Sequence, residues 1–154
     1  MKAVIQRVLN ASVSVDGKTV GQCKKGYMIL FCACENDTEE EIELLAKKVV
    51  ALRIFEDENG KMNRSILDER GEVLAISQFT LAADLKKGNR PSFVHAMNPK
   101  TASAFYDRFC ERLSAEGVSS VEKGIFGADM QVSLVNDGPV TIIMDTEIWH
   151  HHGN

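Results

Sequence analysis

Apolar and polar residues alternate through MKAVIQRVLNASVSV, the first fifteen positions of the chain. Residues 2–8 and 11–15 therefore read as half-buried strands, and Asp16-Gly17 supplies a tight hairpin turn into Thr19-Val20. From Gly26 to Cys34 the alternation gives way to a continuous apolar run, which suits a central strand. The period then changes. Ile42, Leu45, Ala46 and Val49 recur at helical spacing, behind a cap at Asp37 or Thr38. Glu39, Glu40 and Glu41 fill the first turn, where the helix dipole favours acids, and Lys47-Lys48 fall late.

Arg53 to Phe55 reads as a short strand ending at the turn Glu58-Asn59-Gly60-Lys61, and Glu72 to Thr80 as another strand. Asn98-Pro99 combines an N-cap with proline at the first helical position. Ala102, Phe105, Tyr106, Phe109 and Leu113 then share one face until Gly117 closes the helix. Two last strands, near 130–135 and 140–145, flank Asn136-Asp137-Gly138-Pro139. The pattern predicts one α/β domain over residues 1–147 and a tail over 148–154. Its sheets are largely antiparallel, with two long helices on one side.

Composition narrows the class. A chain of 154 residues, 44% hydrophobic and 26% charged, is an ordinary globular one. At that length it buries about two thirds of its unfolded surface. No apolar run approaches the ~20 residues of a membrane span, and the N-terminus lacks a signal-peptide core. A cytoplasmic address without a membrane partner is expected. The net charge of −4 argues against a non-specific nucleic-acid binder. Local basic clusters remain at Lys24-Lys25, Lys47-Lys48 and Lys86-Lys87-Gly88-Asn89-Arg90, each of which alone reads as a solvated face.

Candidate chemistry is sparse. Cys23, Cys32, Cys34 and Cys110 have no metal-ligand spacing, and Cys32 and Cys34 read as small buried hydrophobes. His150, His151 and His152 cannot all point at one ion, so the tail reads as a frayed end or a tag remnant. Ser77 and Thr80 stand at a strand end, yet His95 is the only histidine outside the tail. There is no nucleophile elbow, Gly-rich phosphate loop or metalloprotease motif. Any chemistry must lean on backbone and substrate. Gly138-Pro139, taken alone, reads as an ordinary β-turn. The alternative is a cis bond that aims the bare glycine carbonyl into open space.

SQFTL (77–81) together with NDGPVT (136–141) resembles the paired signature of the D-aminoacyl-tRNA deacylase family. The likeness extends over nearly the whole chain, through MKAVIQRVLNASVSVDG, KGNRPSF (87–93), ASAFYDRF (102–109) and FGADMQVSLVNDGPVTI (126–142). It implies a barrel-like sheet core and a homodimer with each pocket at the subunit interface. It also implies hydrolysis of the ester joining a D-amino acid, or glycine, to the 3′-terminal adenosine of tRNA, with no cofactor or metal. Gly138 and Pro139 are expected to form a cis main-chain filter reaching into the partner's pocket, and Arg7 to brace it. Ser77, Gln78, Phe79 and Thr80 are expected as the opposite wall, whose N–H groups meet the developing oxyanion. Water assisted by the substrate's 2′-OH takes the nucleophile's place in the family, although Thr80 is a tempting candidate.

Ala102, Phe126 and Met130 are expected around the aminoacyl group and adenosine; Phe126 and Met130 fit core packing equally well. Lys86, Lys87 and Arg90 are expected on the tRNA acceptor end. A side chain yields to an intruding group for about 1 kcal/mol by changing rotamer, whereas a main-chain edge has no rotamer to change. Two other readings stand beside this one. A general esterase or peptidase would use Thr80 or Ser77, and a non-catalytic dimeric module would use the fold alone.

Overall fold

The structure, a computed structural model, describes residues 1–150. Its strands are β1 (Lys2–Val15), β2 (Lys18–Cys23), β3 (Gly26–Cys32), β4 (Arg53–Glu56), β5 (Met62–Ser65), β6 (Glu72–Ser77), β7 (Val121–Lys123) and β8 (Gln131–Asp145). Helix α1 covers Glu39–Ala51, α2 Pro99–Ala115 and the short α3 Glu147–His150, and a 3-10 turn covers Phe79–Ala82. No helix among the described residues is long and apolar enough to cross a membrane.

β1 is the spine of the sheet. It pairs antiparallel with β3 and then β2 along one flank, and with β8 along the other. β3 runs parallel to β6, and β6 to β7. β7 returns against β2, where the Gln22 N–H donates to the Glu122 carboxylate at 2.9 Å. A side chain at Gly21 would strike the Lys123 carbonyl, so a bare position permits the approach. The strands thereby curl into a nearly closed barrel, with β8 left as an outer edge.

Opposite faces of these strands feed two cores. Ile5, Ile29, Val73 and Ala75 pack against the helices, while Val8, Met28, Leu74 and Ile76 form the second cluster. The Phe31 ring stacks on Phe109 of α2 at 4.7 Å between centroids. Both helices begin as the sequence predicts. Thr38 and Glu41 close a capping box on α1, and the Asn98 side chain accepts the Lys100 N–H at 3.0 Å. Arg108 pairs with Glu39, and Arg112 with Glu43 at 3.3 Å, fastening α2 to α1.

Four expectations are corrected. Residues 2–8 and 11–15 are one strand, because a register shift between Val8 and Asn10 absorbs the break in alternation. The two strands near 130–135 and 140–145 are also one, β8. Thr141 pairs with Gln6 and Asn136 with Val8, so Asp137 to Val140 stand opposite the single residue Arg7. The Gly-Pro pair marks a bulge rather than a turn. The strand expected over 72–80 ends at Ser77, and the chain tightens into the 3-10 turn. Residues 148–150, expected in the tail, join Glu147 in a helical turn that packs Trp149 on the main core beneath Lys48, 5.2 Å from its ring. His151 and His152 lie outside the described residues.

Candidate active site

Where β6 ends, β3 and the first turn of α2 diverge and leave a cavity of about 590 Å³. Ser77, Gln78 and Phe79 wall one side; Phe126, Gly127, Ala128 and Met130 wall the other, and Ala102 and Phe93 contribute from α2 and the loop before it. Phe79 is 57% exposed and meets Phe93 edge-on at 5.0 Å, forming an apolar lip. Such a mostly apolar recess with a few main-chain polar groups suits a small organic moiety.

The Gln78 N–H is already committed to the Phe31 carbonyl at 2.7 Å. The donors left to this wall are the Phe79 and Thr80 N–H groups, first in the 3-10 turn and so without intrahelical acceptors. Thr80 does not line the cavity, and its hydroxyl accepts from the Gln78 side-chain amide at 2.5 Å. That neighbour is an amide, which is no base. Ser77 does line the cavity, at the strand end.

Tyr106, read from sequence only as a core position, fixes the far wall. Its hydroxyl donates to the Ala75 carbonyl at 2.5 Å and accepts the Gly124 N–H at 3.2 Å. Burial pushes this phenol up from its ordinary value, so it stays a donor. A side chain at Gly124 would come 2.6 Å from the Met130 sulfur. The segment carrying Phe126 and Met130 is thus tied to β6 at its root.

Gly138 and Pro139, on the β8 bulge, and Arg7, opposite them on β1, stand elsewhere and do not line this cavity. Gly138–Pro139 is a cis peptide, and both residues are exposed. Beneath them Arg7 is 5% exposed. Its Nε donates to the Asp137 carbonyl at 3.0 Å and its Nη1 to the Ile54 carbonyl at 2.7 Å. Asn136 holds the other end: its Oδ1 accepts the Val140 N–H at 2.9 Å and its Nδ2 donates to Thr141 at 3.1 Å. Asn136 thereby replaces the ladder acceptor that the bulge removes. From sequence it reads only as a turn residue.

Lys86, Lys87 and Arg90 are exposed on a hairpin closed by paired bonds between Asp84 and Ser92 (2.7 and 3.0 Å). Phe93 ties the end of that hairpin to the lip. His95 clamps its base, with Nδ1 2.6 Å from the Glu35 carboxylate and Nε2 3.3 Å from that of Asp84.

The family model described as D-Tyr-tRNA(Tyr) deacylase matches residues 4–145, nearly the whole chain. The chain belongs to this deacylase family. Its relatives include proteins named D-aminoacyl-tRNA deacylase from Sulfurihydrogenibium (56% identical, covering 96% of this chain and 99% of the relative) and Bacteroides fragilis (53%, covering 96% and 98%). Among solved structures, a c-Myc DNA unwinding element binding protein superposes with a TM-score of 0.89 at 43% identity, over 94% of this chain and 98% of that one. A probable eukaryotic D-amino acid tRNA deacylase, at 20% identity and a TM-score of 0.79 over the same shares, has the same fold.

For this deacylase-family chain the His95 clamp carries a pH dependence. Hydrogen bonding to Glu35, with a smaller share from Asp84, raises the imidazole above its ordinary 6.5. A raised pKa means that the contribution is full below 6.5 and is lost as pH rises through the folded value. Amide protection across the 84–92 hairpin, taken relative to the base-catalysed intrinsic exchange rate, is expected to fall over that rise. His95→Gln, which cannot titrate, should flatten the change; an equal fall in the variant rules the clamp out.

Proposed function

We propose that the chain hydrolyses the ester between a D-amino acid, or mischarged glycine, and the 3′-terminal adenosine of tRNA, and that it rejects L-aminoacyl-tRNA with the Gly138–Pro139 edge. It is a hydrolase acting on ester bonds. The observation that carries the reading is the braced, exposed Gly138–Pro139 bulge, in a chain 52–56% identical to D-aminoacyl-tRNA deacylases. The bulge lies outside the lining of its own cavity, which supports its service to a second copy in a homodimer with interface sites. The exposed apolar residues Ile143 and Val135 on the outer strand β8 support that pairing too.

In this reading the aminoacyl group and adenosine occupy the cavity between Ser77–Phe79 and Ala102, Phe126 and Met130. The Gly138 carbonyl of the second copy accepts the substrate α-ammonium, which fixes where the α-carbon's other substituents go. An L-side chain is then driven into main chain, whereas a D-side chain points outward and glycine has nothing to clash. The Phe79 N–H, on the cavity wall, meets the oxyanion. Water aided by the ribose 2′-OH attacks, since among the described residues no base is hydrogen-bonded to Ser77 or Thr80. Such an enzyme works in the cytoplasm on residues 1–147 and needs no cofactor.

The deciding experiment offers matched D- and L-tyrosyl-tRNA to the purified protein. Fast loss of the D-ester against an intact L-ester is expected, and similar rates would end the filter reading. The hairpin has its own test. Reversing Lys86 and Lys87 to glutamate should weaken tRNA binding and flatten its fall with salt, while cleavage of a small D-aminoacyl ester persists. Equal losses on both substrates would remove these lysines from the tRNA contact.

A further inference from the structure

The sequence Cys32-Ala33-Cys34 leaves β3 between two cavities. Residues two apart in extended chain point to the same side, with Cα atoms about 6.6 Å apart at ~3.3 Å rise per residue. A disulfide spans ~4.4–6.8 Å. Cys34 keeps extended pairing through its bridge to Ala96, and its N–H donates to the Asp37 carboxylate at 2.7 Å. The two thiols differ in access. Cys34 is half-buried and lines a second, polar cavity of about 800 Å³ with Asp84, Lys86 and His95. Cys32 is 2% exposed, lines the apolar cavity and lies 3.7 Å from the Phe79 carbonyl oxygen.

We infer that Cys34 is a site of peroxide modification, and that Cys32 resolves the product into a Cys32–Cys34 disulfide. The Cys34 thiolate attacks one peroxide oxygen: an S–O bond forms, the O–O bond breaks, and hydroxide leaves and is protonated to water. Cys32 sulfur then attacks the sulfenic sulfur. The S–S bond forms, the S–O bond breaks, and the departing hydroxide takes the Cys32 proton as a second water. Two thiols are oxidised by two electrons and one peroxide is reduced.

The neighbouring Cys32 thiol, with the Met1 ammonium and Lys2, draws the Cys34 thiol down to about 7 against burial and the Asp37 carboxylate. The same pairing raises Cys32. Burial pushes Cys23 up to about 11 and Cys110 up to about 12, which leaves them poor nucleophiles. Attack therefore begins at the accessible thiol and ends at the buried one. Turning Cys32 toward Cys34 takes its sulfur away from Phe79 and shifts the 3-10 turn. That last consequence rests on the deacylase reading; the thiol chemistry does not.

The test treats purified full-length protein with hydrogen peroxide and maps thiols by mass spectrometry. Trypsin leaves both residues on one peptide, 26–47, separate from Cys23 and Cys110. The expected product is that peptide lacking two hydrogens, restored by dithiothreitol. Cys34→Ser should abolish it, and Cys32→Ser should leave a dimedone-trappable sulfenic acid on Cys34. Oxidation first at Cys23 or Cys110, or oxygen added to Cys34 of the unaltered chain without a crosslink, overturns the inference. In parallel, the oxidised protein should lose at least about tenfold in D-tyrosyl-tRNA hydrolysis, as small displacements at a site do. Dithiothreitol should restore the rate, and Cys34→Ser should resist the loss. An unchanged rate in crosslinked protein overturns the link to the pocket. Absence of deacylation in the reduced protein instead counts against the activity reading, and the mass result still decides the modification site.

Discussion

Gly138→Ala is expected to lower kcat/KM on D-tyrosyl-tRNA by on the order of 10²-fold, the scale of a misplacement near 1 Å. Gly138 has φ +138°, where L-residues are strained. An added Cβ would stand 2.7 Å from Val140 Cγ2 and 2.8 Å from the Val140 nitrogen. Neither neighbour yields cheaply, because Val140 is buried and its N–H is held by Asn136 at 2.9 Å. The exposed edge must therefore move. The strain, about 1–3 kcal/mol, is local, so the chain should still fold and melt cooperatively. Steady-state kinetics on D- and L-esters beside a thermal melt check this. Undiminished rate and selectivity in a folded variant would show that the edge is not what the substrate meets.

Arg7→Met should cost more stability. The guanidinium is the donor for two carbonyls, those of Asp137 and Ile54, from a nearly sealed position. Charge-assisted bonds of this kind are worth about 1.5–3 kcal/mol each, so a loss of roughly 3–6 kcal/mol follows. Its carboxylate neighbours, Glu56 at 3.8 Å and Asp137 at 3.6 Å, are solvent-facing enough to add little. A drop in Tm of about 6–24 °C is expected at 2–4 °C per kcal/mol. Arg7→Lys keeps a charge but lacks the fork that reaches both carbonyls, and should recover only part of the loss. Deacylation measured below the melting range separates the roles. A fall in rate beyond the unfolded fraction means that the brace aims the bulge, and an unchanged rate confines Arg7 to stability.

Much of the architecture was legible because it is local. The helical period of Ile42, Leu45, Ala46 and Val49, with acids before it and Thr38 ahead, needs nothing from the rest of the chain. Asn98-Pro99 likewise starts α2 by capping its own first turn. The apolar run after Gly26 announced β3, buried by helices on one face and packed in the second core on the other. Within the site, Ser77, Gln78, Phe79, Ala102, Phe126 and Met130 do converge on one cavity. Thr80, Arg7, Gly138 and Pro139 lie off it, and Tyr106, Asn136 and Phe93, although inside the family-like stretches, had no site role of their own legible in the sequence.

What the sequence determined by itself was the kind of element at most positions, and the family, since both reside in short-range spacing and quoted motifs. Whether NDGP turns the chain back or bows out of a continuous strand was decided by the tertiary structure. The same four residues satisfy either geometry. The choice rests on Arg7, 130 positions away, supplying a donor to the Asp137 carbonyl from beneath. Barrel closure and the cavity are decided in the same way, because strands and walls distant along the chain meet only when the sheet has curled.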